Sequence, residues 1–272
     1  MRSLARLSPR AASLIWASLL VGPAPAVPAT GKIEWTTGIN KALAEAKATA
    51  RPVFVDVWAI WCVPCKEMDE TTYRDPAVVA AMAGFVPLKV DQDAAENFCE
   101  RHAVEALPLV LYLDGEGREI GRRMGLQRAA ELLGSMETVR DGYASYVAAM
   151  ARVESSPQVA ASAADYLTRA GNPQRAIALL RRAIDRAPAP EQGEELALGL
   201  AEAQLAAGEA KDALGAFRRL ADQATAPERR GRALAGLVRC LRERGRAADA
   251  DAALERLRAE FPERAAGLAP QD

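Results

Sequence analysis

Val53-Phe54-Val55-Asp56-Val57-Trp58 is a run of β-branched and aromatic residues that leads through Ala59-Ile60-Trp61 into Cys62-Val63-Pro64-Cys65 and then Lys66-Glu67-Met68-Asp69-Glu70. The run predicts a central strand, and the helix formers after it predict a helix that opens at the cysteines. A strand feeding directly into a helix commits this part of the chain to an α/β architecture and puts both sulfurs at the junction. Unsatisfied backbone N–H groups and the positive end of the helix dipole favour a thiolate there, lowering the pKa of Cys62 from about 8.5 into the range of roughly 3.5 to 7.5. The pattern reads as a dithiol redox site with Cys62 as nucleophile and Cys65 as resolving thiol. An inert staple is the poorer reading, since a bridge closing so short a loop stabilises little.

The remaining thiols do not extend this site. Cys99 falls on a predicted helix from Ala94 to Arg101 and Cys240 lies far along the chain, and both are expected to be small buried hydrophobes. No second Cys-x-x-Cys is present, so no metal is expected. The single histidine, His102, is expected at a helix end, exposed or half-satisfied and without chemistry. Asp56 is different. It alternates with Val55 and Val57 in an otherwise apolar strand, and an unpaired buried carboxylate is costly, so it should be held largely neutral or hydrated, as a proton acceptor. Lys89, in Leu88-Lys89-Val90-Asp91 on the expected neighbouring strand, is a candidate partner for it.

Val55-Asp56-x-Trp58-Ala59-x-Trp61-Cys62-x-Pro64-Cys65-Lys66 resembles the active-site segment of the thioredoxin family, and Leu107-Pro108 resembles its hydrophobic–cis-proline element. Arg51-Pro52, the Lys66-Glu67-Met68 opening and Tyr73-Arg74-Asp75-Pro76-Ala77-Val78 more specifically resemble the C-terminal periplasmic domain of the DsbD disulfide interchange proteins and their soluble relatives. The resemblance covers about residues 31 to 140. It implies a thioredoxin fold, a central mixed sheet flanked by helices. It also implies that Asp56 deprotonates Cys65, and that Trp61, Val63, Pro64, Leu107 and Pro108 form the substrate rim, the cis peptide facing the dithiol. The lysine of ordinary thioredoxins falls where this chain has Pro87. Val63 stands in place of a glycine and Ile60 in place of an acidic residue, so the redox potential does not carry over. Leu109 to Leu113 is expected as a strand, Asp114-Gly115-Glu116-Gly117 as a turn into a strand from Glu119 to Arg123, and a helix from Leu126 as the close of the domain.

Of 272 residues, 50% are hydrophobic and 26% charged, as in soluble globular proteins. The first 29 are set aside as a secretory signal peptide: Arg2, Arg6 and Arg10 precede an apolar run from Ala11 to Val21, with small residues near Ala26 and Ala29 for cleavage. Removing those three arginines from 35 basic residues leaves 32 against 36 acidic, a net charge of −4, which gives no reason to expect nucleic acid. The expected location is the periplasm or another exported compartment, with no membrane association after cleavage.

Beyond Tyr146 the composition turns to Ala, Leu, Arg and Glu with helical spacing, and the chain repeats itself. Gly171, Gly208 and Gly245 recur at intervals of 37, and with them Ala176, Ala213 and Ala250, then Leu180, Phe217 and Leu254, then Ala183, Leu220 and Leu257. Pro188 and Pro262 follow two of the glycines at seventeen residues. The pattern resembles tetratricopeptide repeats with three residues added per unit. The expected organisation is a thioredoxin-like domain over 30–140, a linker helix over 141–156 that caps the array, three tetratricopeptide-like repeats over 157–264, and a tail over 265–272. Such arrays present a concave surface to peptides or proteins; a spacer or dimerisation module is the other reading.

The chain is therefore expected to be an exported thiol:disulfide oxidoreductase that reduces protein disulfides with Cys62 and Cys65, without a cofactor. Its partners would be disulfide-bonded clients and an upstream electron-donating protein. A scaffold or chaperone-like binding protein, and a thiol reductant for cytochrome c assembly, are the alternatives.

Overall fold

The computed structural model describes residues 31–156, 158–186 and 190–268. The expected signal peptide and Pro188 lie outside the described residues, as does the end of the expected tail. Four strands, β1 (Val53–Trp58), β2 (Val86–Asp91), β3 (Leu109–Leu113) and β4 (Glu119–Met124), form one sheet in the order β2-β1-β3-β4. β1 pairs parallel with β2 and antiparallel with β3, and β4 runs antiparallel to β3 on the far edge. The expected run before the cysteines is thus an interior strand. The parallel pairing requires a crossover, supplied by α2 (Val63–Glu70) and α3 (Pro76–Ala81); α1 (Ile39–Thr49) precedes β1, α4 (Glu96–Arg101) joins β2 to β3, and α5 (Ala129–Arg140) follows β4. Tyr73-Arg74-Asp75-Pro76 works as a helix start. The Asp75 carboxylate accepts from the N–H groups of Ala77 and Val78 at 2.8 and 3.3 Å, and Pro76 occupies the first turn, where it loses no hydrogen bond.

Side-chain alternation divides the sheet into two faces. Val53, Val55, Val57, Leu109, Leu111 and Leu113 are buried against α1 and α4. Phe54, Val110 and Tyr112 face the other way, into a core with Met68, Tyr73, Phe85 and Leu132. Asp56 lies on this second face.

The all-helical remainder consists of α6 (Tyr143–Met150), α7 (Val159–Ala170), α8 (Pro173–Ile184), α9 (Pro190–Ala206), α10 (Ala210–Gln223), α11 (Pro227–Glu243), α12 (Ala247–Glu260) and α13 (Pro262–Ala266). The helix expected over 141–156 is the shorter α6, because Gly142 at φ +111° turns the chain sharply after α5. The 37-residue glycines sit at the turns α7–α8, α9–α10 and α11–α12 with φ of +97°, +79° and +68°. After each, the next N–H donates back to a carbonyl four residues before the glycine: Asn172 to Leu167, Glu209 to Gln204, Arg246 to Leu241, at 2.8 to 2.9 Å. That is the helix-ending geometry that a left-handed residue permits and that a side chain at the same position would strain. The repeated Ala and Leu or Phe positions are buried between the hairpins.

The two halves share a core. Tyr146, Tyr166, Leu167, Ala170, Ile177, Leu180 and Leu196 are buried in the same apolar cluster as Phe54, Tyr112 and Ile120 of the sheet. Strand β4, an edge that would otherwise expose unpaired backbone groups, is met by the α7–α8 turn. Arg123 donates to the carbonyl of Ala170 at 3.2 Å, and Gly121 brings the strand so close that a Cβ there would lie 2.1 Å from the same oxygen. Asp114, almost fully buried, accepts from Tyr146 Oη at 3.1 Å and from Arg118 at 2.7 Å, so the β3–β4 turn is tied to α6 as well.

Candidate active site

Cys62 and Cys65 form a disulfide, their Cα atoms 5.3 Å apart. Cys62 is the N-cap of α2: its Sγ accepts from the Cys65 N–H at 3.2 Å, and Pro64 lies in the first turn. Both cysteines are buried, at 3% and 2% exposure, in a small cluster with Ala59 that Trp58 and Leu107 pack against. The neighbours are displayed instead: Ile60, Trp61 and Val63 are 64%, 59% and 73% exposed. Leu107-Pro108 is a cis peptide, and through Leu107 this element abuts the disulfide. Pro108 offers its carbonyl to the N–H of Gly125 at 2.9 Å, and Met124, the residue before it, is exposed. The residues expected around the dithiol are thus brought together, while the sulfurs sit behind a large exposed apolar edge.

On the second face of the sheet, within the strand that leads to the cysteines, Asp56 is 2% exposed. Its Oδ1 accepts from Tyr73 Oη at 3.0 Å and its Oδ2 lies 3.2 Å from Lys89 Nζ. Lys89 also pairs with Asp69 on α2, and its ammonium stands 5.1 to 5.9 Å from the rings of Trp58, Trp35 and Tyr73. Burial pushes the Asp56 carboxyl above the ordinary carboxylate range, and Lys89 and Tyr73 only partly offset it. Burial beside that carboxylate raises the Tyr73 phenol well above its usual value. A carboxyl raised in this way is, once ionised, a stronger base than an ordinary carboxylate.

The pairing of Lys89 with Asp56 follows from parallel register, which sets the two residues opposite each other on β2 and β1. Leu88 and Val90 point into the other core, so Lys89 must share the face of Asp56. Tyr73, Trp35 and Asp69 were not legible as members of this group, because nothing in local spacing places them there. Neither was the bond from Trp61 Nε1 to Asp93 at 3.0 Å.

Cys99 and Cys240 are free and buried; burial raises both thiols, Cys240 to about 11. The expectation for His102 needs correction. It is 7% exposed, its ring 4.4 Å from that of Phe98 and its Nδ1 3.8 Å from Glu119 Oε2, because β4 lies over the end of α4. Among the described residues no cluster of three His, Cys, Asp or Glu side chains could hold a metal, and no helix is long and apolar enough to cross a membrane. A concavity of about 850 Å³ runs along α7, α9 and α11, past Asp165, Glu202, Arg232, Arg239 and Glu243. It belongs to the repeats, and the dithiol does not line it.

A thioredoxin-like family model matches residues 34–115, and a tetratricopeptide repeat model matches 233–264. The chain is similar to the thiol:disulfide interchange protein DsbD of Ralstonia nicotianae, with 34% identity over 110 residues, covering 39% of this chain and 18% of that protein. DsbD of Escherichia coli K12 is 39% identical over 92 residues, covering 32% and 16% respectively. The chain therefore spans less than a fifth of the length of these relatives. Among solved structures, the C-terminal domain of Neisseria meningitidis DsbD in its oxidised form is 24% identical with a TM-score of 0.32, covering 38% of this chain and 97% of that one. The chain joins a thioredoxin-like domain, homologous to a segment of DsbD, to an all-helical region that carries a tetratricopeptide repeat match.

Proposed function

We propose that the protein is an exported thiol:disulfide oxidoreductase that reduces protein disulfides, with its helical repeats binding clients or partners. The observation that carries this reading is the Cys62–Cys65 pair at the start of α2, rimmed by exposed Ile60, Trp61 and Val63 and by the cis Leu107-Pro108 peptide, with Asp56 buried on the interior strand that leads into it. In the reduced protein the Cys62 thiolate attacks one sulfur of a client disulfide, forming a mixed disulfide and expelling a client thiolate that takes up a proton. Cys65 then gives its proton to Asp56 and attacks Cys62 Sγ. The Cys62–Cys65 disulfide forms, the second client thiol leaves, and two electrons have passed to the client. A dithiol protein acting as electron donor must reduce the pair again. The same steps reversed would oxidise a dithiol. Export rests on the N-terminal segment, and the reductive direction on the resemblance of the Cys62–Cys65 segment to the C-terminal domain of the DsbD proteins.

The test is turnover of a disulfide-bonded protein with dithiothreitol. Cys62→Ser should abolish it, and Cys65→Ala, reduced and then freed of dithiothreitol before the client is added, should accumulate covalent client adducts that fresh reductant releases. Turnover at the wild-type rate in Cys62→Ser would overturn the assignment.

A further inference from the structure

The loop that delivers Leu107-Pro108 to the dithiol is tied down at its start by a chain of contacts that begins in the first helical repeat. On β4, Arg122 meets Glu119 in two parallel bonds, Nε to Oε1 at 2.8 Å and Nη2 to Oε2 at 2.6 Å, an arrangement that fixes the guanidinium plane. The same guanidinium donates to the carbonyl of His102 at 2.8 Å and reaches that of Ala103 at 3.5 Å. Those two carbonyls end α4 and open the loop, and Ala103 holds a left-handed φ of +46°. Val104 is partly buried and its N–H donates to Cys99, whereas Glu105 and Ala106 are exposed. The entry to the loop is thus held by few groups, and Arg122 contributes two of the bonds.

Glu119 is in turn held from α8. Asn172 Nδ2 donates to its carbonyl at 3.2 Å and lies 3.4 Å from its Oε1, and Arg175 donates to the same carbonyl. Asn172 cannot swing away freely, since its Oδ1 accepts from the Arg175 N–H at 3.1 Å as the N-cap of α8. Although burial would raise it, the Glu119 carboxyl is kept below its ordinary range by Arg122 and His102, so the clamp stays charged at neutral pH.

We infer that Arg122 is a positioning residue for the substrate rim, and that Asn172 and Arg175 hold it in place through Glu119, so that the first repeat sets where the Leu107-Pro108 backbone meets a client. The inference rests on the oxidoreductase reading and adds to it a role for the helical half in the chemistry of small substrates as well as large ones. The rim aligns an extended client but does not set the reactivity of the Cys62 sulfur itself, and a small misplacement of an aligning group can cost one to two powers of ten in rate.

The experiment compares two reactions of the reduced full-length protein: its second-order reaction with a disulfide-bonded peptide, and alkylation of Cys62 by iodoacetamide, which needs no rim. Arg122→Met should slow the peptide reaction by about tenfold and leave alkylation within about twofold, with Arg122→Lys intermediate because an ammonium cannot make the paired bonds. Asn172→Ser, which keeps a helix cap but cannot reach Glu119, should slow the peptide reaction in the same direction by a smaller factor. A peptide rate unchanged in Arg122→Met, or in Asn172→Ser if the arginine variant does not fold, would overturn the inference. So would a parallel fall in alkylation, which would place the effect on the dithiol or the fold. A wild-type protein whose Cys62→Ser variant still reacts with the peptide would instead overturn the oxidoreductase reading.

Discussion

Replacing Gly121 with alanine tests whether the repeats are docked on the sheet or merely tethered to it. The new Cβ would lie 2.1 Å from the Ala170 carbonyl oxygen and 2.9 Å from its carbon, and both are backbone atoms that no rotamer can move aside. Relief requires the α7–α8 turn to retreat from β4 by about 1 Å, since carbon and oxygen settle near 3.3 to 3.6 Å even in their closest favourable contacts. The bonds from Arg123 to Ala170 at 3.2 Å and from Asn172 to Glu119 at 3.2 Å then pass beyond hydrogen-bonding range, and that from Arg175 to Glu119 weakens. At roughly 0.5 to 1.5 kcal/mol for each bond, two lost and one weakened, the expected loss is about 1 to 4 kcal/mol. Urea denaturation of the full-length protein measures it, with the slope checked so that a change of midpoint reports stability alone. Gly134→Ala is the control. That glycine lies inside α5 with nothing within 4 Å of an added Cβ, and alanine there should stabilise by about 0.5 to 1 kcal/mol. A loss below about 0.5 kcal/mol for Gly121→Ala, within the range of an ordinary surface substitution, would mean that the turn yields at no cost and that the interface is loose.

Asp56→Asn should slow release of the client from the mixed disulfide while leaving its formation nearly unchanged, as stopped-flow kinetics on the two steps would reveal; impairment of formation alone would contradict the role given to Asp56. The same variant has a signed effect on stability. The folded carboxyl titrates above the ordinary value of 3.8, so below that value both states are protonated and the wild type is not penalised. As pH rises through the window between the two values the unfolded chain loses its proton first, and stability is lost. Denaturation of the variant and the wild type should therefore diverge in favour of asparagine from pH 3.5 to pH 7; a constant difference would refute this. Lys89→Met removes the cation that lowers the Asp56 carboxyl, and should move the pH midpoint of client release toward alkali, about tenfold in rate at fixed lower pH for each unit moved.

The strands beside the cysteines were legible because their signals are local. Val53 to Trp58 and Leu109 to Leu113 are short β-branched or aliphatic runs, and the structure has β1 and β3 over those same residues. The turns of the repeats were legible from Gly171, Gly208 and Gly245 for a similar reason, since a left-handed residue at a helix end is chosen locally. What escaped depends on contacts between distant segments. The bond from Tyr73 to Asp56 spans 17 positions and that from Asn172 to Glu119 spans 53, and no periodicity encodes either. The burial of His102 has the same cause: Glu119 of β4 lies against it, and a helix-end position in the sequence says nothing of a strand that follows it. The continuity of one core from Phe54 to Leu196 was likewise invisible, because composition changes near Tyr146 while packing does not.

The cover over β4 bears on what an encounter with an unfolded chain can lead to. Exposed sheet edges recruit passing strands, and the strands of a reduced client are ready recruits. Here one edge is closed by the α7–α8 turn, and on the other Thr36 bridges Leu88 of β2, its N–H and carbonyl bonded to Pro87 and Lys89 at 3.0 and 2.8 Å. Both borders of the sheet are thus partly covered, and on the proposed function a client backbone would pair briefly at the Leu107-Pro108 rim beside the sulfurs with less competition from strand capture elsewhere.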